Sequence, residues 1–266
     1  MRRMSFKRRM TRGTVLGLAW AALWLLAGTG AAAREFGTRC QRTFQNGWQV
    51  TIPYMYNRCS GFNNALDDTA TKLFYFSLTG TGSGFTFNDG LATAGGVDAA
   101  DVFYVSTHGG VNSTDAGLTL WQQNITMLST TWRFGNNSDR VRIFSQYACK
   151  TLQLDNLSYS RWINPFRGGM QIATGSHDLV YDGYTTDETG RDYAHGLQDG
   201  KSVKWAWFDG NGDWYHAQDV AAYVTGVNLD DCLGRLHGMD FYNISDWGRL
   251  FDSQIGRMCA YWITDN

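Results

Sequence analysis

The sequence predicts an α/β protein with a mainly parallel central sheet. Two observations carry this. Short apolar runs rich in β-branched and aromatic residues recur at residues 102–107 (VFYVST), 141–148 (VRIFSQYA) and 170–174 (MQIAT). Stretches with helical spacing separate them, and glycines punctuate the stops, as in successive βαβ units. In such sheets, sites form beyond the carboxyl ends of the strands.

Residues 1–33 come first. They hold six basic residues (Arg2, Arg3, Lys7, Arg8, Arg9, Arg12) and no acid, then an apolar run at residues 14–27, then Ala31-Ala32-Ala33. This is the pattern of a secretory signal peptide cut after Ala33, with arginine pairs that hint at twin-arginine export. The run falls short of the ~20 residues a membrane span needs, so no stable membrane insertion is expected after cleavage. The remaining residues, 34–266, read as one domain in a secreted or periplasmic protein, since two prolines and no low-complexity tract leave no linker.

Along that domain, residues 48–56 (WQVTIPYMY) have strand composition. Asn64 reads as a helix cap, and Leu66, Ala70, Leu73 and Phe74 repeat at helical spacing, which predicts a helix ending near Gly80. The following TGTGSG lacks the Lys-Ser/Thr of a phosphate-binding loop and reads as a plain loop. After the 102–107 run, residues 118–121 predict a short edge strand and residues 126–133 a short helix. Residues 156–166 predict a helix closed by Gly168-Gly169, and residues 188–197 and 202–208 predict two more. Residues 213–222 read as a third helix or as the approach to a strand at 220–225.

Without its first 33 residues the chain carries 17 basic and 24 acidic residues, a net of −7. That excludes a generic basic nucleic-acid binder, which needs a positive face to displace counterions. A hydrophobic content of 43% excludes wholesale disorder. All five cysteines lie beyond residue 33, where an oxidising compartment favours pairing. Cys40 with Cys59, and Cys232 with Cys259, are the natural local bridges. Cys149 is left over, either as a reactive thiol or as an inert buried one. No C-x-x-C or H-x-x-x-H spacing suggests a metal, and no cofactor is called for.

Two apolar runs end in residues of catalytic type. VFYVST runs into His108-Gly109-Gly110, and VRIFSQYA runs into Cys149. The separation of 41 residues accommodates one crossover between parallel neighbours, which would bring both side chains to one edge. A thiolate there can attack a carbonyl, the imidazole can hand a proton to the leaving amine, and the backbone N–H groups of Gly109 and Cys149 can receive the developing negative oxygen.

The blocks DVFYVSTHGG and RIFSQYAC resemble those of the caspase–legumain–gingipain (clan CD) cysteine peptidases. The later pattern Gly190, Ala194, Leu197, Gly200, Ser202, Val203, Ala206, Trp207 is similar to the helices after the nucleophile strand in bacterial members. The resemblance runs from about Leu73 to Thr225, and the whole chain also resembles an uncharacterised bacterial secreted family. It implies a caspase-like three-layer α/β/α sandwich, a His108–Cys149 dyad with Gly109 as oxyanion donor, and cysteine-type endopeptidase activity on a peptide or protein substrate. Where family members place a glycine shortly after the cysteine, this chain reads Cys149-Lys150-Thr151-Leu152, which shapes that backbone differently.

For substrate binding, Asp115, Asp155, Asp178 and Asp182 fall near predicted strand ends and could form an acidic pocket for a basic side chain. His177 follows a strand-like run and could line the same cleft. His195, His216 and His237 lack comparable settings. The second functional reading is a non-catalytic binding module on the same scaffold, with the aromatic tract at residues 204–216 (KWAWFDGNGDWYH) as its surface.

Overall fold

In the computed structural model, residues 34–41, 52–78, 97–119, 126–129, 132–135, 140–184, 188–212 and 218–264 are described. They belong to one compact unit spanning residues 33–266. The signal-peptide reading of residues 1–33 lies outside them. So do the TGTGSG loop, residues 48–51 of the first predicted strand, and residues 213–217.

The centre is a seven-stranded sheet ordered β10-β9-β8-β7-β3-β1-β2. Its strands are β1 (Glu35–Gln41), β2 (Thr71–Leu78), β3 (Val102–Ser106), β7 (Ile143–Tyr147), β8 (Ile172–Ser176), β9 (Val220–Gly226) and β10 (Arg257–Ile263). β2, β1, β3, β7 and β8 are mutually parallel, β9 runs antiparallel to them, and β10, antiparallel to β9, takes up their direction again. A second, antiparallel sheet joins β4 (His108–Val111), β5 (Ala116–Thr119) and β6 (Thr126–Leu128). The helices are α1 (Met55–Asp67), α2 (Ser158–Arg167), α3 (Thr189–Gln198), α4 (Val203–Asn211) and α5 (Leu229–Gly238). Among the described residues no helix is long and apolar enough to cross a membrane.

Strand alternation sends side chains to two cores. Phe36, Tyr104, Ile143 and Ile172 meet Phe62 of α1, Tyr193 of α3, Trp207 of α4 and Leu236 of α5 on one face. Phe103, Phe144, Ala173 and Tyr223 meet Trp162 and Phe166 of α2, with Leu118 of β5, on the other. β3 and β7 are buried along their whole length, as parallel strands covered on both faces must be. Phe62 stacks on Tyr104 and Tyr193 with centroids 4.5 and 5.7 Å apart. Buried hydroxyls find partners: Ser145 Oγ meets the Tyr193 hydroxyl at 2.7 Å, and Thr174 Oγ1 donates to Ser145 Oγ at 2.9 Å.

Four sequence expectations fail here. Asn64 does not cap a helix; it lies inside α1, which starts nine residues earlier at Met55. Pro53 and Tyr54 form a turn, so the strand predicted at residues 48–56 gives way to the helix start at its carboxyl end. Proline suits that place, one residue before the N-cap Tyr54, because an N–H there has no helical acceptor to lose. The helix predicted to run towards Gly80 stops at Asp67, and residues 71–78 form β2 instead. The spacing of Leu66 and Ala70 continues only across a turn, in which the Ala70 N–H donates to Leu66 O at 2.9 Å. Pairing with β1 then decides the strand. Residues 126–128 of the helix expected at 126–133 form β6, recruited by β5. The remaining predicted strands and helices fall within a few residues of β3, β5, β7, β8, β9, α2, α3 and α4.

Two disulfides join Cys40 to Cys59 and Cys232 to Cys259, with Cα separations of 6.3 and 6.0 Å, and Cys149 is free.

Candidate active site

β3 and β7 are hydrogen-bonded neighbours whose register aligns Ser106 with Tyr147. The Thr107 N–H donates to Tyr147 O at 3.2 Å, carrying the pairing one residue further. His108 and Cys149 therefore leave the sheet at matching positions on one edge. There the chains diverge. His108 opens β4, while Cys149 enters a turn.

Gly109 is where the two paths touch. A Cβ at this position would lie 2.7 Å from Cys149 O and 2.8 Å from both Ala148 Cβ and Thr151 Cγ2. Any side chain would force the histidine strand off the cysteine turn. That turn is tied on several sides. The Lys150 N–H donates to Asp178 O at 2.8 Å, Leu152 N–H to Ser176 O at 2.9 Å, and Thr151 Oγ1 to Ala148 O at 3.3 Å. Lys150 itself sits at φ 55, in the left-handed region that a non-glycine residue enters at a cost of about 1–3 kcal/mol. The turn after Cys149 thus carries a strained lysine whose N–H is anchored to the segment after β8.

His108 and Cys149 open on one cavity of about 360 Å³, with Thr107 and Tyr147 beside them. One wall is the entry to α1, with Ile52, Pro53 and Arg58. The other is the segment after β8, with Val180, Tyr181 and Asp182. The half-buried sulfur of Cys149 receives the Val180 N–H at 3.5 Å and lies 3.8 Å from Val180 O. The Tyr147 hydroxyl donates to Tyr181 O at 2.7 Å, and the Tyr181 N–H donates to Gln218 Oε1 at 3.0 Å, which fixes the second wall. The first wall is fixed by the Cys40–Cys59 bridge, one residue from Arg58. Arg58 lies over the Tyr147 ring at 4.2 Å and bonds Asp182 Oδ1 at 2.6 Å, joining the walls.

The sequence-derived binding residues are elsewhere occupied. The structure does not bring Asp115, Asp155, His177 or Asp178 into the lining of this cavity. Asp115 is buried and accepts from Thr114 Oγ1 at 2.7 Å. Asp155 grips Arg161 with both oxygens at 2.9 and 2.8 Å. Burial pushes the Asp155 carboxyl up, but the bonds from Arg161, Leu157 and Ser158 outweigh it and hold it low. The Asp178 carboxyl is held low by the Leu179 N–H first and then by Lys150, 3.3 Å away. His177 points its Nε2 towards Asp219 at 4.0 Å. Asp182 alone of the four acids reaches the cavity.

Arg58, Tyr147, Val180 and Tyr181 are among the lining residues that sequence reading missed. Arg58 carried one faint signal, a charge on the face of α1 that buries Met55, Cys59 and Phe62. The aromatic tract resolves differently from a surface. Lys204, Trp207 and Phe208 of α4 are buried in the core, and of the tract's described aromatic residues only Trp205 is substantially exposed. Residues 213–216 of that tract lie outside the described residues. Among the described residues no group of three His, Cys, Asp or Glu side chains could hold a metal ion.

The chain belongs to the family described as a domain of unknown function (DUF6345), which matches residues 40–244. That match includes His108, Cys149 and every residue lining the cavity. No curated protein matches the chain.

Proposed function

We propose that this protein is an exported cysteine-type peptide hydrolase of caspase-like fold, with Cys149 as nucleophile and His108 as general acid and base. The observation that carries the reading is the shared cavity. A free thiol and an imidazole line it from equivalent positions beyond two paired parallel strands. The strand order and the helices on both faces of the sheet support the caspase-like reading. Two disulfides and the pattern of residues 1–33 support export.

In this reading the Cys149 thiolate, its proton passed to His108, adds to the carbonyl carbon of a peptide, and the π pair moves to oxygen. The Val180 N–H, aimed at the sulfur, is a donor the thiolate accepts from before attack. Backbone N–H groups at Gly109 and Cys149 receive the oxyanion. Collapse expels the amine, which takes the proton from His108. Water, deprotonated by His108, then cleaves the thioester, releasing the carboxylic acid and restoring the thiol. The Lys150 N–H serves no oxyanion, because Asp178 O holds it.

The test is alkylation of the unreduced protein by iodoacetamide at mildly acidic pH, read by intact mass. Cys149 labels rapidly in the wild type and at least about tenfold more slowly in His108→Ala. Equal slow labelling in both removes the dyad and leaves a binding module on the same scaffold.

A further inference from the structure

Resting on the hydrolase reading, we propose that the cavity selects an uncharged, apolar side chain (leucine, methionine, phenylalanine or tyrosine) on the residue whose carbonyl is attacked. The charge of the walls carries the inference. Apart from His108 and Cys149, the described lining holds one cation, Arg58, and one anion, Asp182. They are paired with each other at 2.6 Å. Arg58 is 1% exposed and covered by the Tyr147 ring. The second oxygen of Asp182 accepts the Tyr54 N–H at 3.3 Å. A basic substrate side chain would have to compete with Arg58 for Asp182, and an acidic one with Asp182 for Arg58. Either would bring an uncompensated charge into a partly desolvated cleft.

The rest of the lining suits an apolar guest: Ile52, Pro53 and Val180, with Tyr181 at the mouth. The same segment exposes further apolar surface, with Leu179 55%, Tyr181 66% and Tyr184 73% exposed. The other three acids that the sequence offers for a basic pocket, Asp115, Asp155 and Asp178, lie outside this lining and are committed to a local hydroxyl, Arg161 and Lys150.

Two measurements test this on the processed, disulfide-bonded protein. The first is cleavage of a fluorogenic peptide set that varies only that one residue. Leucine and phenylalanine peptides are expected to exceed lysine, arginine, aspartate and glutamate peptides by at least about tenfold in kcat/KM, within the range an apolar pocket discriminates. Preference for any charged residue overturns the proposal. The second is binding of the same peptides, dye-labelled, to Cys149→Ala by fluorescence anisotropy, which needs no turnover. Apolar-selective binding without wild-type cleavage rejects the hydrolase reading and keeps the apolar cleft. Indifferent, charge-selective or undetectable binding rejects the cleft assignment whatever the cleavage result.

Asp182→Asn sharpens the result by exposing the charge of Arg58. Binding of glutamate peptides relative to leucine peptides should rise at least about tenfold, and an unchanged ratio shows that the pair was not masking charge. Should Asp182→Asn fail to fold, Ile52→Ala takes its place, with leucine binding expected to weaken severalfold and glutamate binding to stay as it was.

Discussion

The two disulfides sit towards opposite ends of the strand order and hold different kinds of structure. Cys40–Cys59 joins β1 to α1 inside the core, where both residues are fully buried. It fastens the wall that presents Ile52, Pro53 and Arg58 to the cavity. Cys232–Cys259 joins α5 to β10, an edge strand of half-buried residues whose Trp262 is 51% exposed. β10 has one neighbouring strand and little apolar burial, so a covalent tie to a helix that packs on β9 compensates for weak packing. One bridge aligns a site assembled from distant segments; the other retains an edge. Equal bonds therefore carry unequal functional weight.

The comparison can be broken by experiment, and the largest effect expected is at the site itself. Cys149→Ala should lower peptide turnover by about 10⁴-fold or more while leaving the melting temperature within a few degrees. A loss below tenfold would place the nucleophile elsewhere. Next come the bridges. The loop-entropy model assigns about 3 kcal/mol to each, given sequence separations of 19 and 27. Denaturant titration of Cys40→Ala/Cys59→Ala and of Cys232→Ala/Cys259→Ala should show similar losses of stability. Activity should diverge under folding conditions: the first pair lowers kcat/KM at least about fivefold, and the second leaves it within twofold. Equal activity in both would erase the distinction drawn above.

Gly109→Ala follows, costing about 1–3 kcal/mol as the added methyl pushes the histidine strand from the cysteine turn, with activity falling more than stability alone explains. Gly110→Ala is the control, since nothing lies within 4 Å of a Cβ there.

The smallest effect belongs to the β10 end of the sheet. Lys204 is buried, lies over Trp205 and Tyr261 at 4.1 and 4.2 Å, and meets His237 Nδ1 at 2.7 Å. The rings favour its charge, but burial wins and pushes it from 10.5 down to about 8. Between pH 8 and 10.5 the unfolded chain therefore binds a proton that the folded chain does not, so this lysine makes stability climb with pH in that window and adds no slope below it. His237 is also pushed down, by burial and then by Lys204, and its own climb ends near 6.5. Lys204→Met should flatten the climb above pH 8 in urea titrations; an unchanged slope would show the ammonium already solvated.

Much of the parallel half was legible in the sequence. VFYVS and IFSQY are buried on both faces, so their composition alone marks them as central strands, and the residues that follow each strand end at one edge. The bridges were legible because each closes a short loop. β2 was not, because Leu73 and Phe74 happen to extend a helical spacing that Leu66 begins. The second sheet was barely legible: β4 is His-Gly-Gly-Val, a strand by pairing with β5 rather than by propensity.

By itself, then, the sequence determined the class of fold, the paired cysteines and the placement of His108 and Cys149 beyond the same ends of neighbouring strands, because burial patterns and parallel register are written locally along each strand. Only tertiary structure decided what else faces them. Arg58 and Asp182 lie 124 residues apart and neutralise each other across the cavity, while Asp178 turns away to Lys150. A carboxylate's role depends on which cation the fold sets beside it, and that neighbour is not a property of any one segment.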